Sequence, residues 1–554
     1  MRKYSLNLTA KGTADQWLCG LGTAFGCLVI VLWWHARTSL WDDEIIAITH
    51  GNQSLRLFFI ETLRNDIHPP LYFLQLKFWH DIGFTSDSAI LFNSVVCAFF
   101  SLVTLFYVAR KVYDTKAACY AMAIFALLPI FAYGGGNLRM YGLIPGCALL
   151  VWYANQQWFA TGNHKWLACA GCIECATSYT HAIEFFFVGF IALAACLECL
   201  YHARPLATDS KIVASVRAWI LAQFVVLLLI TPLVGSSLLR GSESLAQSSS
   251  LLSIIMIPGA LVAGWAPSSV LSLRVAGLFV FLFLAAAAML EGRSRIRTLV
   301  IPIGALAVAI IIGMVSQPMI KVPVFAANLL PFLALGAGAG IASHNTRNWR
   351  AGTFICMMML ALAAVPLMRF QIATDEYAKL GRQIRQLAQP GDVVAVPNVN
   401  VFWGVMRYAV GDNWGQPLDV MPLQPNAQWA RVFNQLGPEA TALLGLRPSR
   451  DHIVSNGVTF VIGEDARRLT ANAGRVWVVQ ANPYRVNVQL GARFVRKSIA
   501  RPNSGPLALS FFTRDDEGEP IAWHPLATPI HQSSDTVTSK NVHQTKLRTL
   551  GDMK

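Results

Sequence analysis

The sequence predicts an all-α polytopic membrane domain of about eleven transmembrane helices, followed by a small C-terminal extracytoplasmic α/β domain. The 554 residues are 55% hydrophobic and only 13% charged, whereas average soluble domains carry about 25% charged residues. Many windows of about 20 residues are nearly free of charge, which is typical of membrane-spanning helices. Near residue 369 the composition changes, and polar helical and strand patterns begin there.

The first 368 residues divide into a tail and a series of spans. Segment 1–16 has a basic start and no small-residue cleavage site, which predicts a cytoplasmic tail before an uncleaved first helix. Segment 251–265 is too short and too interrupted for a span, and we interpret it as a re-entrant or interfacial helix. If this segment did span the membrane, every later loop would lie on the opposite side of the membrane. The transmembrane domain 17–368 is predicted to cross the membrane at 17–35, 88–109, 117–134, 140–160, 165–181, 183–202, 213–235, 268–290, 298–316, 325–343 and 352–368.

The basic residues indicate how these spans are oriented. With the N-terminus inside, the inside loops hold fifteen Lys and Arg residues, and the outside loops up to residue 324 hold seven. The positive-inside rule therefore places the first loop, 36–87, outside. The odd number of spans places everything after residue 369 outside as well. The net charge of +14 lies in these short loops and in a C-terminal region that also contains acids, so it does not indicate a nucleic-acid partner.

The outside α/β domain is predicted over 369–525. A helix is expected in TDEYAKLGRQIRQLAQ, and short buried strands are expected in PGDVVAVPN, VTFVIGED and RVWVVQAN. The tail 526–554 is rich in Ser, Thr, Gln and Lys, which predicts disorder. None of the 11 cysteines lies after residue 356, so no disulfide framework is expected in this domain.

The first outer loop carries an unusual concentration of acids. The first 368 residues contain 15 acidic residues, and seven of them fall within 36–87. Ionisable residues gathered beside a bilayer are a functional-site hypothesis by default. Asp42, Asp43 and Glu44 follow the first span directly, and carboxylates this close raise one another's pKa, so one of them could act as a base. A solvated acidic loop start is the alternative interpretation.

A second motif, DIHPPLYFLQLKFW, follows in the same loop. Its paired prolines predict the start of a helix along the membrane surface. Asp66 and His68 then lie at the N-terminal end of that helix, where anionic groups are favoured. A helix cap with an incidental histidine is the alternative.

Taken together, these motifs resemble the GT-C class of polyprenyl-phosphate-sugar-dependent glycosyltransferases. The likeness is to the bacterial branch related to protein O-mannosyltransferases and lipid A aminoarabinose transferases, and it covers roughly 17–345. LPIFAYGGGNLRMYGLIPG resembles the stretch between helices three and four of that class, with Arg139 and Tyr141 at its Arg-x-Tyr positions. SYTHAIEFFF, which contains His181, resembles its Tyr-Thr/Ser-His stretch. Weaker signatures surround Pro232 and Pro331.

The resemblance implies a transfer of a sugar from a polyprenyl-phosphate-linked donor to a lipid, glycan or protein acceptor, with inversion if there is a single displacement. It implies that Asp43 is the catalytic acidic residue and that Glu44 and Asp66 are also catalytic. His68 matches the second motif of the class and is expected to bind substrate. The sequence departs from the class at Ala327, where an Arg often precedes Asn-Leu-Leu-Pro, and Lys321 is our candidate to compensate. It also departs at Asn137, where an acidic residue or Gln is common.

Elementary chemistry agrees with these assignments. A polyprenyl-phosphate sugar keeps its tail in lipid and its sugar at the outer surface. Phosphate is already a good leaving group, so the main need is a base for the acceptor hydroxyl, and Asp43 suits that role. Arg139 can stabilise the departing phosphate, although a snorkelling helix-end arginine is the alternative. His181 can hydrogen-bond sugar or phosphate, although a satisfied helix-end histidine is the alternative. Tyr141 lies in the same expected pocket.

We find no convincing ligand set for a divalent metal and expect no cofactor, although some GT-C enzymes use a metal. The expected partners are the donor, the acceptor and membrane lipids, without nucleic acid. The expected location is the bacterial inner membrane, with the site on the periplasmic or extracellular side. The alternative is a transporter or flippase of a glycolipid, which predicts inverted repeats, and the sequence has no evident repeat. A non-catalytic protein that binds through its outside domain is a third possibility.

Overall fold

The structure is a computed structural model. Asp42, Asp43, Asp66 and Lys321 lie outside the described residues, as do the segment 251–265 and the tail 526–554. The described residues are 14–37, 39–40, 44–45, 47–48, 55, 58, 68–181, 183–202, 210–241, 271–290, 301, 304, 307, 322–344, 347–372, 376–396, 404–405, 407–409, 452–455, 458–462, 473–481, 494–500 and 507–514.

Most of the described chain is helical. Ten of the eleven predicted spans coincide with helices, and the ninth is represented by helical residues 301, 304 and 307. A 3₁₀ turn, Met140–Gly142, lies between α5 and α6. The helices are α1 Ala14–Ala36, α2 Pro70–Asp81, α3 Asp87–Val112, α4 Thr115–Leu127, α5 Pro129–Gly136, α6 Ile144–Thr161, α7 His164–Thr180, α8 Glu184–His202, α9 Ser210–Gly241, α10 Leu271–Met289, α11 Val322–Ser343, α12 Arg347–Ile372 and α13 Glu376–Leu387.

Four segments of the described helices are long and apolar enough to cross a membrane: Gln16–Ala36, Asp87–Val112, Glu184–Tyr201 and Val213–Pro232. Large apolar side chains such as Leu21 on α1 and Leu221 on α9 are exposed, which suits contact with lipid rather than water. The chain is therefore an integral membrane protein. The number of eleven spans stays a prediction.

Local sequence explains where the helices begin and end. The side chains of Ser86 and Asp114 accept hydrogen bonds from the first turns of α3 and α4, as N-caps do. The third predicted span is broken into α4 and α5 at Leu128, which is extended because Pro129 follows it. Gly162 ends α6 in the left-handed conformation, at φ 65°.

Helix α4 packs in the middle of the bundle, in contact with both α1 and α11. Small residues allow this. A side chain on Gly26 of α1 would collide with the backbone of Ala126, and one on Gly338 of α11 would collide with Ala121. Helices that approach this closely through glycine and alanine are common in membranes, where van der Waals packing drives association.

The C-terminal part forms a six-stranded mixed sheet in the order β2-β3-β1-β4-β6-β5. Strand β1 is parallel to both β3 and β4, and the other pairs are antiparallel. The predicted helix and the three predicted strands are all present, as α13, β1, β3 and β4. The strands are β1 Val393–Val396, β2 His452–Ser455, β3 Val458–Ile462, β4 Arg475–Ala481, β5 Phe494–Ala500 and β6 Leu507–Arg514.

The helical residues 404–405 and 407–409 join this sheet region to the membrane bundle. Arg407 forms an ion pair with Asp87, the first residue of α3, and its Nε lies 3.0 Å from Asp87 Oδ1. The Tyr408 hydroxyl donates to Asp87 Oδ2 at 2.6 Å and accepts from the Leu40 N–H at 2.7 Å. We call these contacts of Arg407 and Tyr408 the domain contact. They tie the C-terminal region to both ends of the first loop.

Candidate functional site

Three consecutive glycines, 134–136, place the turn that carries Arg139 and Tyr141. A Cβ on Gly136 would lie 2.7 Å from the ring of Trp33, and a Cβ on Gly135 would lie 2.9 Å from Ile30, both on α1. Real side chains do not approach this closely, so only glycine lets the end of α5 lie against α1. The three glycines therefore allow the turn that follows them to lie close to α1.

Hydrogen bonds then fix the turn itself. Ser101 on α3 donates from its hydroxyl to the Gly142 carbonyl at 2.6 Å and accepts from the Gly146 N–H at 2.8 Å. The Arg139 N–H donates to the Asn137 carbonyl at 2.7 Å. Asn137, which stands where the GT-C class often has an acid or Gln, donates its side-chain amide to the carbonyl of Tyr133 at 2.8 Å. The turn is thus held by α3 and by its own backbone.

Glu44 is anchored in a buried ion pair. Its two oxygens accept from the two terminal nitrogens of Arg37, at 2.7 and 2.5 Å. Oε1 also accepts from the Leu138 N–H at 2.7 Å, and Arg37 donates to the Gly136 carbonyl at 2.7 Å. Glu44 is fully buried, and Arg37 is 7% exposed. The pair therefore joins the end of α1, the first loop and the turn after α5.

His68, His181 and Tyr141 bring three parts of the chain together. The rings of His68 and His181 are 5.0 Å apart between centroids, and those of Tyr141 and His181 are 6.4 Å apart. His68 precedes α2, Tyr141 lies in the 3₁₀ turn, and His181 ends α7. His181 and Tyr141 are both buried.

Tyr72 on α2 is a further residue of this region. Burial is the main cause that raises the pKa of its hydroxyl well above the usual 10.0, and Glu44 raises it further, while Arg139 lowers it. The Tyr72 side chain is buried, at 1% exposure. Arg139 is itself only 5% exposed. We call the assembled group the polar cluster; it consists of Glu44, His68, Tyr72, Arg139, Tyr141 and His181.

The structure thus gathers five of the eight residues that the sequence analysis named as site residues. Glu44, predicted as catalytic, is held by Arg37, and the other four are predicted substrate-binding residues. Asp43, Asp66 and Lys321 are not among the described residues, and their roles stay predictions. Asp43 directly precedes Glu44 in the sequence, and Asp66 lies two positions before His68.

Sequence reasoning missed four residues of this region: Arg37, Tyr72, Glu184 and Asn328. Glu184 is fully buried at the start of α8, and its Oε1 accepts from the Asn328 side-chain amide at 3.0 Å. Its N–H donates to the His181 carbonyl at 2.9 Å. One signal was available, because Glu184 lies three positions after His181 in the same motif and Asn328 lies in the Asn-Leu-Leu-Pro stretch.

A second buried carboxylate, Glu174, lies within α7. Its Oε1 accepts from Asn155 and Gln223, each at 3.2 Å. Asn155 in turn accepts from the indole N–H of Trp219 at 2.8 Å. These amide and indole contacts connect α6, α7 and α9, so Glu174 serves helix packing within the bundle.

The described residues hold no group of three or more His, Cys, Asp or Glu side chains that could bind a metal ion. Cys169 and Cys172 are exposed on α7, while Cys175 is half-buried. Because the acids Asp43 and Asp66 are not described, the expectation that no metal is needed stays a prediction.

Comparison with solved structures shows that the chain has the GT-C fold predicted from the sequence motifs. ArnT from Cupriavidus metallidurans in the apo state matches with a TM-score of 0.54 and 13% identity, over 89% of this chain and 98% of that chain. The same protein bound to undecaprenyl phosphate gives a TM-score of 0.52 and 13% identity, over 90% and 98%. The Archaeoglobus fulgidus oligosaccharyltransferase in complex with Zn and sulfate gives 0.43 and 10%, over 88% and 72%. No family model and no curated protein matches the sequence.

Proposed function

We propose that this chain is an integral membrane glycosyltransferase that moves a sugar from a polyprenyl-phosphate-linked donor to a lipid, glycan or protein acceptor. The polar cluster is the observation that carries the proposal. It collects His68, Arg139, Tyr141 and His181 from three separate parts of a bundle with the fold of ArnT. ArnT has been solved with undecaprenyl phosphate, which supports a donor of this chemical class.

Arg139 is the proposed contact for the donor phosphate. Its guanidinium is always charged, and its surroundings are largely shielded from water. A fixed cation in such a place stabilises the negative charge that grows on the phosphate as the sugar leaves. Ala327 stands where the GT-C class often has an arginine. Lys321 is proposed to supply a second phosphate contact instead. His68, His181 and Tyr141 line the side where the sugar binds.

Asp43 is the proposed base. It takes the proton of the acceptor hydroxyl while the oxygen attacks the anomeric carbon, and the bond between that carbon and the phosphate oxygen breaks. The phosphate leaves with the electron pair, and a single displacement inverts the anomeric configuration. Glu44 contributes by holding the first loop against the turn, because Arg37 and the Leu138 N–H already occupy its oxygens. Asp66 is proposed to orient the acceptor hydroxyl.

The proposed setting is the outer face of the bacterial inner membrane. A donor with its tail in lipid must present its sugar at a membrane surface, and the positive-inside rule places the first loop outside. Arg407 and Tyr408 bind that loop at both ends, which supports a role of the C-terminal region in acceptor binding.

The test uses membranes that contain the protein, because these also supply the acceptor. A panel of radiolabelled polyprenyl-phosphate sugars is added, and the loss of each donor is measured. We expect wild type to consume one donor, and Asp43→Asn to lower its turnover by about 10²–10⁴-fold, the usual contribution of a general base. EDTA should not change turnover. Asp81→Asn is the matched control, because this carboxylate is exposed at the end of α2.

Normal turnover in a folded Asp43→Asn protein would remove Asp43 from the mechanism. If no donor is consumed but a labelled glycolipid crosses the bilayer in reconstituted vesicles, the chain is a flippase and the proposal is wrong.

A further inference from the structure

We propose that Glu184 and Asn328 form a subsite that binds one hydroxyl group of the transferred sugar. This inference rests on the proposed function and adds a specificity-determining pair to it. Glu184 begins α8 and Asn328 lies in the first third of α11. The pair therefore joins two helices that are distant in the sequence.

The pair lies next to the polar cluster. The Glu184 N–H binds the carbonyl of His181, whose ring is itself 6.4 Å from that of Tyr141. Helix α11, which carries Asn328, also contacts the turn Met140–Gly142. A sugar that binds beside His181 would thus have the Glu184–Asn328 pair as a neighbour.

The two oxygens of Glu184 differ in their contacts. Oε1 accepts from the Asn328 amide at 3.0 Å. Oε2 is buried and has no hydrogen-bond partner among the residues that the structure describes. Glu184 is fully buried, and a buried carboxylate oxygen without a donor is costly. A ligand hydroxyl would satisfy this oxygen.

Glu174 shows what a purely structural carboxylate looks like in the same bundle. Its Oε1 accepts from two side-chain amides, those of Asn155 and Gln223. Those amides belong to the helix-packing contacts of α6, α7 and α9, and none of the three residues belongs to the polar cluster. Glu184, by contrast, has one amide partner and lies directly beside His181. Glu174→Gln is therefore a matched control for Glu184→Gln.

The experiment measures kcat/KM in membranes for the donor that wild type consumes and for a series of its singly deoxygenated analogues. Glu184→Gln should lower kcat/KM for the full donor by about 5–150-fold, the effect of leaving a buried polar group without its hydrogen bond. One deoxygenated donor should be poor for wild type and no poorer for Glu184→Gln, because the two changes remove the same contact. Glu174→Gln should leave kcat/KM unchanged for every donor.

Two results would overturn the inference while the proposed function stands. In the first, Glu184→Gln equals wild type with all donors. In the second, it lowers kcat/KM by the same factor for the full donor and for every deoxygenated analogue, which indicates a structural role. If wild type consumes no donor at all, the proposed function itself fails.

Discussion

Arg37 and Glu44 form an ion pair that is almost completely removed from water, with side-chain exposures of 2% and 0%. Burying two charges is unfavourable unless each is well hydrogen-bonded. Here the Gly136 carbonyl and the Leu138 N–H supply additional partners. The pair therefore specifies how the first loop meets the turn after α5, and we regard it as the anchor of the polar cluster.

Breaking this pair from one side should be strongly destabilising. Glu44→Gln leaves the Arg37 charge buried without its counter-charge, and we expect a loss of about 3–5 kcal/mol in the free energy of unfolding. Replacing both residues by methionine should lose less than either single change. Thermal unfolding in detergent measures this, with Asp81→Asn, half of an exposed pair with Lys77, as the control. A wild-type melting temperature for Glu44→Gln would contradict the anchoring role.

Sequence motifs identified the residues of the polar cluster that resemble a known class, namely His68, Arg139, Tyr141 and His181. They did not identify Arg37 as the partner of Glu44, because basic residues at helix ends usually orient a span. The contact between Glu184 and Asn328 spans 144 positions, and no local pattern indicates such a pairing. Tyr72 lies in the motif DIHPPLYFLQLKFW, but only the fold shows that its side chain is buried.

At the scale of elements, apolar windows predicted the helices well, because a span must satisfy its backbone internally and avoid charge. They missed the break at Leu128, although Pro129 was a visible signal. In the sheet region, the buried strands β1, β3 and β4 were predicted from their apolar runs. Strands β2, β5 and β6 were not, because sequences such as FVRKSIA mix charged and apolar residues.

The domain contact should depend on the protonated hydroxyl of Tyr408. Burial, followed by the neighbouring Asp87, raises the pKa of this hydroxyl above its usual 10.0. A raised pKa means that the contribution of this hydroxyl to stability is fully present below pH 10.0 and falls as the pH rises beyond it. Tyr408→Phe should lose about 1–3 kcal/mol at pH 8, because it removes bonds to Asp87 and to the Leu40 N–H.

Thermal unfolding at pH 8 and pH 11 measures this effect. The difference in stability between wild type and Tyr408→Phe should narrow at the higher pH, because the Tyr408 hydroxyl then ionises in the unfolded state of wild type. Tyr107→Phe on α3 is the control, since Tyr107 is exposed and lies outside the domain contact. A difference that stays constant or widens would show that Tyr408 is not the pH-dependent part of the contact.

At the scale of the whole molecule, the polar contacts agree with the predicted alternation of spans. The end of α1, the turn between α5 and α6, and the turn between α7 and α8 all meet in the polar cluster. The start of α11 joins them through Asn328. With an inside N-terminus and eleven spans, each of these positions is expected on the outer side.

The central claim is that the polar cluster handles a polyprenyl-phosphate sugar at the outer face of the membrane. The most direct test is to add a short-chain, water-soluble radiolabelled donor to sealed right-side-out vesicles and to sealed inverted vesicles, both containing the wild-type protein. We predict that right-side-out vesicles consume the donor at once and that inverted vesicles do so only after detergent opens them. Consumption of the donor by sealed inverted vesicles, without detergent, would contradict the claim.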